Sequence, residues 1–290
     1  MTVEDARRSV GVSAADPDRR AGFGLSGGSE TKVAVLLGSV ESRIPSVAVI
    51  PTIAPWSVDG LDAVAVRVAP VSSETRVDWA TSLPLQWRSA RLPRVASFLA
   101  GRYCAERALK AAGSEETMVE VGDEREPVWP RGFVGSITHT ATFAGAVVAR
   151  ENGIVGIGID TEDVLSAAQS DSVRQTVAPE FSAINFVGLH GDPQGDALAM
   201  SCVFSAKESI YKCLHPLVRE FFEFSDVSVT TVDRVRGTMH AVLNRPLGNF
   251  PRHWPLEARF IASDGRVHTS VVLRATQLPP EVSATFGVSA

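Results

Sequence analysis

Hydrophobic and small or polar residues alternate strictly in one stretch of the chain, residues 155–162, which reads Val-Gly-Ile-Gly-Ile-Asp-Thr-Glu. Side chains alternate between the two faces of a strand, so this pattern predicts a β-strand with its valine and isoleucines in a core. The opposite face carries two glycines followed by the carboxylates of Asp160 and Glu162. We expect the glycines to leave room on that face for a bulky ligand.

A second stretch, residues 197–214, repeats apolar side chains every three to four positions, which predicts a helix that Pro216 ends. Residues three and four apart share one face of a helix. Ser205, Glu208 and Lys212 therefore form a polar stripe, and the other side of the helix is apolar. If this stripe faces the strand at 155–162, three carboxylates and a lysine converge.

The rest of the pattern divides the chain into an arm and two parts. Residues 1–43 are rich in Gly, Ser and charge, which predicts a flexible arm in which only residues 33–37 could form a short strand. In residues 44–152 we predict strands at 63–68, 133–138 and 143–149, a helix at 92–112 and a charged loop at 116–131. In residues 153–290 we further predict a short helix at 178–186, a loop at 189–195, and strands at 226–232, 238–243, 256–262 and 267–273.

Composition narrows the classes of function. The chain has 290 residues, of which 44% are hydrophobic and 21% charged, so it can bury a sizeable core. Its formal net charge of -5 argues against broad binding to nucleic acid or to an anionic membrane. Cys104, Cys202 and Cys213 have no zinc-ligand spacing and give no disulfide framework, so we expect buried thiols. Without a signal segment or a membrane-length apolar run, we expect a cytoplasmic protein that acts as a monomer.

Asp160, Glu162 and Glu208 are the candidate reactive groups. Packing three anions together is costly unless a cation joins them, and oxygen-only ligands suit Mg²⁺ or Mn²⁺. Lysines at the rim suit phosphate oxygens, which such a metal also binds. Two simpler interpretations stay open: the strand carboxylates could face solvent, and Glu208 with Lys212 could be an ordinary pair on a helix surface.

Three sequence blocks, in this order and spacing, resemble the 4′-phosphopantetheinyl transferases of the Sfp type. They are Trp-Pro-Arg-Gly-Phe-Val-Gly-Ser-Ile-Thr-His at 129–139, Gly-Ile-Gly-Ile-Asp-Thr-Glu at 156–162 and Phe-Ser-Ala-Lys-Glu-Ser-Ile-Tyr-Lys at 204–212. A softer fourth block is the arginine-bearing helix at 94–102. The nearest subgroup is the one that includes the enterobactin-synthase-associated bacterial enzymes. The resemblance implies an α+β fold of two similar α/β halves in a pseudo-twofold arrangement, with the active site between them.

The resemblance also implies an activity. The family moves the 4′-phosphopantetheine arm of coenzyme A to a serine of an acyl, peptidyl or aryl carrier protein domain and releases adenosine 3′,5′-bisphosphate. By motif, Asp160, Glu162 and Glu208 are similar to the Mg²⁺ ligands, with Glu208 also the base, and Lys212 steadies the diphosphate. The implied contacts to coenzyme A are Arg94, Arg102, Ser136, Thr138, His139, Asp160, Lys207 and Lys212.

Two positions depart from the family pattern. Related sequences often carry a basic residue in the loop before the Trp-Pro pair, whereas here Glu124 and Glu126 flank Arg125, so the chain departs from the family at the position of that loop contact to coenzyme A. Thr161 stands between the two acidic residues of the strand and is too weak a ligand, so we expect a water to complete a metal shell there.

Three functions stay open at this point. The first is the transferase. The second is a metal-dependent hydrolase of a nucleotide diphosphate such as coenzyme A, with water as the nucleophile. The third is a module that binds coenzyme A or a carrier without turnover. His139 could also be a hydrogen-bonded histidine at a strand end, and Arg94 with Arg102 could form a solvated helix face.

Overall fold

A computed structural model describes residues 49–52, 54–56, 61–68, 92–189, 193–279 and 282 of the chain. The predicted arm at 1–43, with its short strand at 33–37, lies outside these residues. Within them, no helix is both long and apolar enough to cross a membrane.

In the described residues of the first half, helix α1 (Leu92–Ala111) packs on a four-stranded antiparallel sheet. Helix α1 has nearly the predicted bounds, and its apolar side (with Val95 and Leu99) forms a core with Ala144 and Ala146 of the sheet. The strands of this sheet are β1 (Val49–Thr52), β2 (Asp62–Val68), β5 (Phe133–His139) and β6 (Phe143–Arg150). They lie in the order β1-β2-β6-β5.

Between α1 and β5, a small hairpin occupies the segment that we predicted to be a loop. It consists of β3 (Glu120–Val121) and β4 (Pro127–Val128), which pair in antiparallel fashion. Strand β1 was not predicted either. Both omissions involve very short strands, whose few residues carry little periodicity.

The elements described in the second half are β7 (Ile154–Asp163), α2 (Ala167–Val177), β8 (Asn185–Val187), α3 (Pro193–Val218), β9 (Val227–Asp233), β10 (Thr238–Leu243), β11 (Pro255–Ser263) and β12 (Arg266–Arg274). Their strands form one sheet in the order β7-β12-β11-β10-β9-β8, in which β8 and β9 pair in parallel and the other neighbours are antiparallel. The predicted strands are present within one residue at each end.

The predicted helix at 178–186 is wrong. The helix in this region, α2, ends at Val177, and the chain continues as a short 3₁₀ helix (Phe181–Ala183) and strand β8. A capping box starts α2, because the Ser166 side chain accepts from the backbone amide of Gln169 and the Gln169 side chain accepts from the amide of Ser166. Pro179 disfavours helical backbone at Ala178, whose ψ is 68°.

Helix α3 is longer than predicted at both ends. It begins at Pro193, inside the predicted loop, and it continues past Pro216 to Val218. A proline near the last turn removes only one helical hydrogen bond, and Arg219 N closes the turn on His215 O over 2.9 Å. Arg219 has a left-handed φ of 55°, which ends the helix.

Helix α3 covers the glycine face of β7, so our expectation of open space there is wrong. A Cβ added to Gly156 would lie 2.8 Å from Cys213 O, and one added to Gly158 would collide with Ser209 O. The glycines therefore let the helix backbone approach the strand. The predicted buried thiols are confirmed, since Cys104, Cys202 and Cys213 are fully buried and free.

The two sheets meet where edge strand β5 faces edge strand β7. Ser136 Oγ accepts a hydrogen bond from Ile159 N over 3.0 Å, and Thr138 Oγ1 accepts one from Thr161 N over 2.9 Å. The backbone amides of β7 are thus satisfied by hydroxyls of the first half, as buried amides require. We call this contact between β5 and β7 the seam.

Candidate active site at the seam

Asp160 is the acceptor at the centre of the candidate site. Its side chain is fully buried, and Lys212 Nζ donates to Asp160 Oδ1 over 2.7 Å and to Ile159 O over 3.0 Å. Ser205 Oγ donates to Asp160 Oδ2 over 2.9 Å. Because Ser205 and Lys212 lie about two turns apart on α3, one face of the helix supplies both donors. A carboxylate this deep needs such partners, since an unpaired buried charge is strongly destabilising.

Two further carboxylates, Glu162 and Glu208, are also buried. Glu162 follows Asp160 by two residues on β7, and Glu208 lies one turn before Lys212 on α3. Carboxylate oxygens are the donors that Mg²⁺ and Mn²⁺ prefer, so the residue types fit such an ion. Their positions do not form a ready-made site, because in the described parts of the chain no three Asp, Glu, His or Cys side chains are grouped so as to hold a metal. The assignment of Asp160, Glu162 and Glu208 as metal ligands therefore stays a prediction.

In the first half, Arg102 is a buried cation. Its side chain is only 8% exposed, its guanidinium lies 5.1 Å from the centroid of the Phe98 ring, and Nη1 has no hydrogen-bond partner among the residues that the structure describes. Burial lowers the pKa of Arg102 to about 10, so the group is still charged at neutral pH. A guanidinium binds phosphate in a fork, and an anion would compensate this buried charge. Arg102 therefore suits a phosphate group.

Gly101 explains how α1 comes close to β5. A Cβ added there would lie 2.8 Å from Ile137 Cγ2 and 4.0 Å from His139 Cδ2. Arg102 is the residue after Gly101, so it lies next to this close contact between α1 and the end of β5. His139, the last residue of β5, is exposed there. Arg94, near the start of α1, is exposed as well. The structure thus places Arg102 and His139 in one region and leaves Arg94 on the surface of the helix.

Lys207 does not join this group, contrary to our expectation of a contact with coenzyme A. Its amine is 2.7 Å from Glu180 Oε1 and donates to Val177 O over 2.8 Å and to Phe224 O over 3.0 Å. Burial lowers the pKa of Lys207, and the Glu180 charge opposes that effect. The amine is thus used inside the second half, on the side of α3 away from Asp160.

Two hydroxyl side chains, Ser136 and Thr138, have different uses from those expected. Ser136 and Thr138 are buried and bond to β7 across the seam, so the structure does not present them to a ligand. Thr138 Oγ1 additionally lies 3.4 Å from Asp160 Oδ1, which it supports. Thr161 points away from the carboxylates, because its Oγ1 lies 3.0 Å from His268 Nδ1.

The β3–β4 hairpin reaches α3 from the first half. Glu124 Oε2 lies 3.0 Å from His215 Nε2, so this acidic loop contacts the protein itself. Burial, reinforced by the charges of Glu124, Glu208 and Glu126, raises the pKa of Tyr211 to about 12. The phenol is therefore neutral and lies close to the site. A small cavity beside it is lined by Lys207, Tyr211, Phe222, Glu223, Phe224 and Val227.

Thr269 is a site residue that our sequence analysis missed. It lies on β12, outside every motif, with its Oγ1 2.8 Å from Ser205 Oγ and 2.7 Å from Ser209 Oγ. The serines at 201, 205 and 209 recur every fourth residue, which indicates a small, polar face on α3. That spacing could have suggested a hydroxyl contact but not its partner on a strand some sixty residues later.

Comparison with known proteins finds relatives of both halves of the chain. The sequence model of the 4′-phosphopantetheinyl transferase N-terminal domain matches residues 85–149, and the model of the 4′-phosphopantetheinyl transferase superfamily matches residues 156–271. The chain is 32% identical over 184 residues to the 4′-phosphopantetheinyl transferase PptT of Mycobacterium tuberculosis, covering 61% of this chain and 78% of that protein.

Two other relatives extend the comparison. The chain is 30% identical over 185 residues to the 4′-phosphopantetheinyl transferase Npt of Nocardia iowensis, covering 60% of this chain and 80% of that protein. It is 36% identical over 154 residues to enterobactin synthase component D of Salmonella typhimurium, covering 53% of this chain and 62% of that protein.

The α+β fold of two halves, together with these matches, defines the class of protein as a transferase. The chain belongs to the 4′-phosphopantetheinyl transferase superfamily.

Proposed function

We propose that this protein transfers the 4′-phosphopantetheine arm of coenzyme A to a serine of a carrier protein domain. The observation that carries the proposal is the ion pair at the seam between the buried Asp160 and the partly exposed Lys212, on the same helix face as the buried Glu208. A fixed ammonium beside buried carboxylates suits a diphosphate, on which negative charge builds during attack. Arg102, a buried cation in the other half, suits a further phosphate of the same nucleotide.

The reaction needs little covalent work from the protein. The serine oxygen attacks the phosphorus that bears the pantetheine arm, and the bond from that phosphorus to the bridging oxygen breaks. Adenosine 3′,5′-bisphosphate leaves with the electron pair, and Lys212 stabilises its developing charge. Glu208 takes the hydroxyl proton, directly or through water, which is typically worth about 10²–10⁴-fold in rate.

The buried carboxylates have a second proposed role. Asp160, Glu162 and Glu208 would hold Mg²⁺ or Mn²⁺, which would neutralise charge on the diphosphate. The cytoplasmic location, the monomeric state and the absence of nucleic-acid or membrane partners also remain predictions. The comparisons do not support the alternative activity, a hydrolase of coenzyme A.

The test is conversion of an apo carrier domain to its holo form, followed by intact-protein mass spectrometry. With coenzyme A and Mg²⁺, the wild-type protein should add one phosphopantetheine to the carrier serine. Asp160→Ala and Glu208→Gln should abolish the conversion, whereas Arg94→Gln, at an exposed helix position, serves as a milder comparison. Full activity of either carboxylate variant would contradict the assigned roles.

A parallel incubation without a carrier separates transferase from hydrolase. The proposal predicts no release of phosphopantetheine from coenzyme A and Mg²⁺ alone. Rapid release without an acceptor would overturn the proposal in favour of the hydrolase.

A further inference from the structure

A chain of buried hydroxyls leads from the middle of α3 to Asp160. Ser209 Oγ lies 2.7 Å from Thr269 Oγ1, Thr269 Oγ1 lies 2.8 Å from Ser205 Oγ, and Ser205 Oγ donates to Asp160 Oδ2 over 2.9 Å. Thr269 Oγ1 also donates to Ser205 O over 2.9 Å. All three hydroxyl residues have no exposed surface. We call these residues the hydroxyl chain.

With Asp160 ionised, the hydrogen bonds of the hydroxyl chain point toward its carboxylate. A hydroxyl has one hydrogen, and that of Ser205 goes to the Asp160 carboxylate, which cannot donate when ionised. At its contact with Thr269, Ser205 is therefore the acceptor. The single hydrogen of Thr269 is then shared between Ser205 Oγ and Ser205 O, so Ser209 is the donor at the remaining contact. Each hydroxyl thus polarises the next one toward Asp160, and such chains strengthen cooperatively.

Thr269 is itself held in place by the first half of the protein. Trp56 Nε1 donates to Thr269 O over 3.0 Å, and Trp56 is buried. Thr269 pairs directly with Asp160 in the register between β12 and β7. Its hydroxyl therefore has little freedom to leave Ser205, and Ser205 has little freedom to leave Asp160.

We propose that Thr269 is a positioning residue that acts through Ser205 to fix the Asp160 carboxylate. With Oδ2 bonded to Ser205, Oδ1 faces Lys212 and Thr138, and the Lys212 amine then takes one position beside the proposed diphosphate site. This inference rests on the proposed function. It adds a residue of β12 to the active-site machinery and gives Ser205 and Ser209 a role in catalysis besides packing.

The alternative is that the three hydroxyls only satisfy one another in a tight helix–strand contact. The two interpretations differ in how substitutions combine. If Thr269 acts through Ser205, removing Thr269 should change nothing further once Ser205 is gone. Independent packing roles would instead give losses that multiply.

The experiment is a double-mutant cycle with Thr269→Val and Ser205→Ala, measured as kcat and KM in the apo-carrier assay. Thr269→Val keeps the shape and removes the hydroxyl, and Thr269→Ser keeps the hydroxyl. The matched control is Ser201→Ala, because Ser201 is equally buried on the same helix but bonds to Leu165 N and Ala197 O, outside the hydroxyl chain. Melting temperatures are recorded for every variant.

We expect Thr269→Val to lower kcat about tenfold with the KM for the carrier unchanged, and Thr269→Ser to stay within about twofold of wild type. The double variant should be no slower than Ser205→Ala. Ser201→Ala should lower the melting temperature and leave kcat unchanged. Wild-type kcat in Thr269→Val, or a double variant whose loss is the product of the single losses, would overturn the inference.

Two further measurements cover the remaining outcomes. If Thr269→Val does not fold, Ser209→Ala takes its place. We expect Ser209→Ala to lower kcat in the wild-type background and to have no further effect once Ser205→Ala is present. An unchanged kcat in Ser209→Ala alone would overturn the inference. If the wild-type protein converts no carrier, the proposed function fails by itself. In that case, calorimetry measures the binding of coenzyme A. We expect Thr269→Val to weaken binding about fivefold and Ser201→Ala to leave it unchanged. Equal weakening in both variants, or none in Thr269→Val, would overturn the inference about Thr269.

Discussion

Lys207 and Lys212 lie little more than one turn apart on α3, but their amines face different parts of the molecule. Lys212 donates to Asp160 at the seam and remains partly exposed. Lys207 is fully buried against Glu180 and two backbone carbonyls. The sequence motif contains both lysines and does not distinguish them. Their environments do: the Lys212 amine is accessible to a substrate, whereas the Lys207 amine stabilises the fold.

The matched variants Lys207→Gln and Lys212→Gln test this difference. Each amide keeps one hydrogen bond and removes the charge. Lys212→Gln should lower kcat by about 10²-fold, because the ammonium stabilises charge on the diphosphate. Lys207→Gln should lower the free energy of unfolding by about 3 kcal/mol in urea titration, because Glu180 loses its buried partner, with kcat near wild type. Normal stability with lost turnover in Lys207→Gln would restore the predicted contact to coenzyme A.

At the scale of elements, the contact of α3 with β7 decides where the site residues meet. Gly156 and Gly158 bring the backbone of α3 against the strand, and the next residue on that face is Asp160. Ser205 and Lys212 can reach Asp160 only from this short distance. The spacing of glycines and carboxylates along β7 thus sets both the packing of the helix and the position of the charged groups.

Gly158→Ala tests this dependence. The added methyl group would collide with Ser209 O, so the helix must move away from the strand. We expect a loss of several kcal/mol in unfolding free energy, as overpacking and lost contacts combine, and a loss of turnover that follows. Gly265→Asn is the control, because space around Gly265 is open and asparagine tolerates its left-handed backbone. Wild-type melting and turnover in Gly158→Ala would contradict the packing argument.

Elements with a long, regular alternation of hydrophobic and polar residues could be predicted from the sequence. The other elements depend on helix caps, prolines and contacts with distant parts of the chain. The alternation in β7 and the helical period of α1 predicted those elements almost to the residue. The helix at 178–186 was wrong because the capping box at Ser166 and the proline at 179 outweigh local periodicity. Asp160 and Lys212 were found from their spacing, whereas Thr269 could not be, since strand pairing across the sheet supplies it.

At the scale of the whole molecule, the seam joins a half that carries a buried guanidinium to a half that carries buried carboxylates. Arg102 belongs to the first half, and Asp160, Glu208 and Lys212 to the second. His268 lies in this interface: its ring centroid is 5.9 Å from that of Trp56 and 5.1 Å from that of Phe143, both of the first half. The seam therefore includes a buried, titratable side chain.

The seam should weaken as the pH falls. Burial, with a contribution from Arg266, lowers the pKa of His268 from 6.5 to about 4. Below about pH 6.5 the unfolded chain binds a proton that the folded chain excludes until about pH 4, so the free energy of unfolding falls across that window, by at most about 3 kcal/mol.

Urea titrations at several pH values between 7 and 4 measure this effect. His268→Gln keeps a hydrogen-bonding group for Thr161 and should flatten the pH dependence. His240→Gln, at an exposed position on β10, should leave the wild-type slope intact. Identical slopes for His268→Gln and the wild type would show that His268 is not the titrating group.

The central claim is that one coenzyme A molecule engages both halves of the protein across the seam. A crystal structure of the complex with coenzyme A and Mg²⁺ tests it most directly. We predict the 3′-phosphate at the Arg102 guanidinium and the diphosphate within hydrogen-bonding distance of Lys212 Nζ, beside Asp160. A nucleotide bound entirely within one half, or with its diphosphate remote from Asp160 and Lys212, would contradict the account.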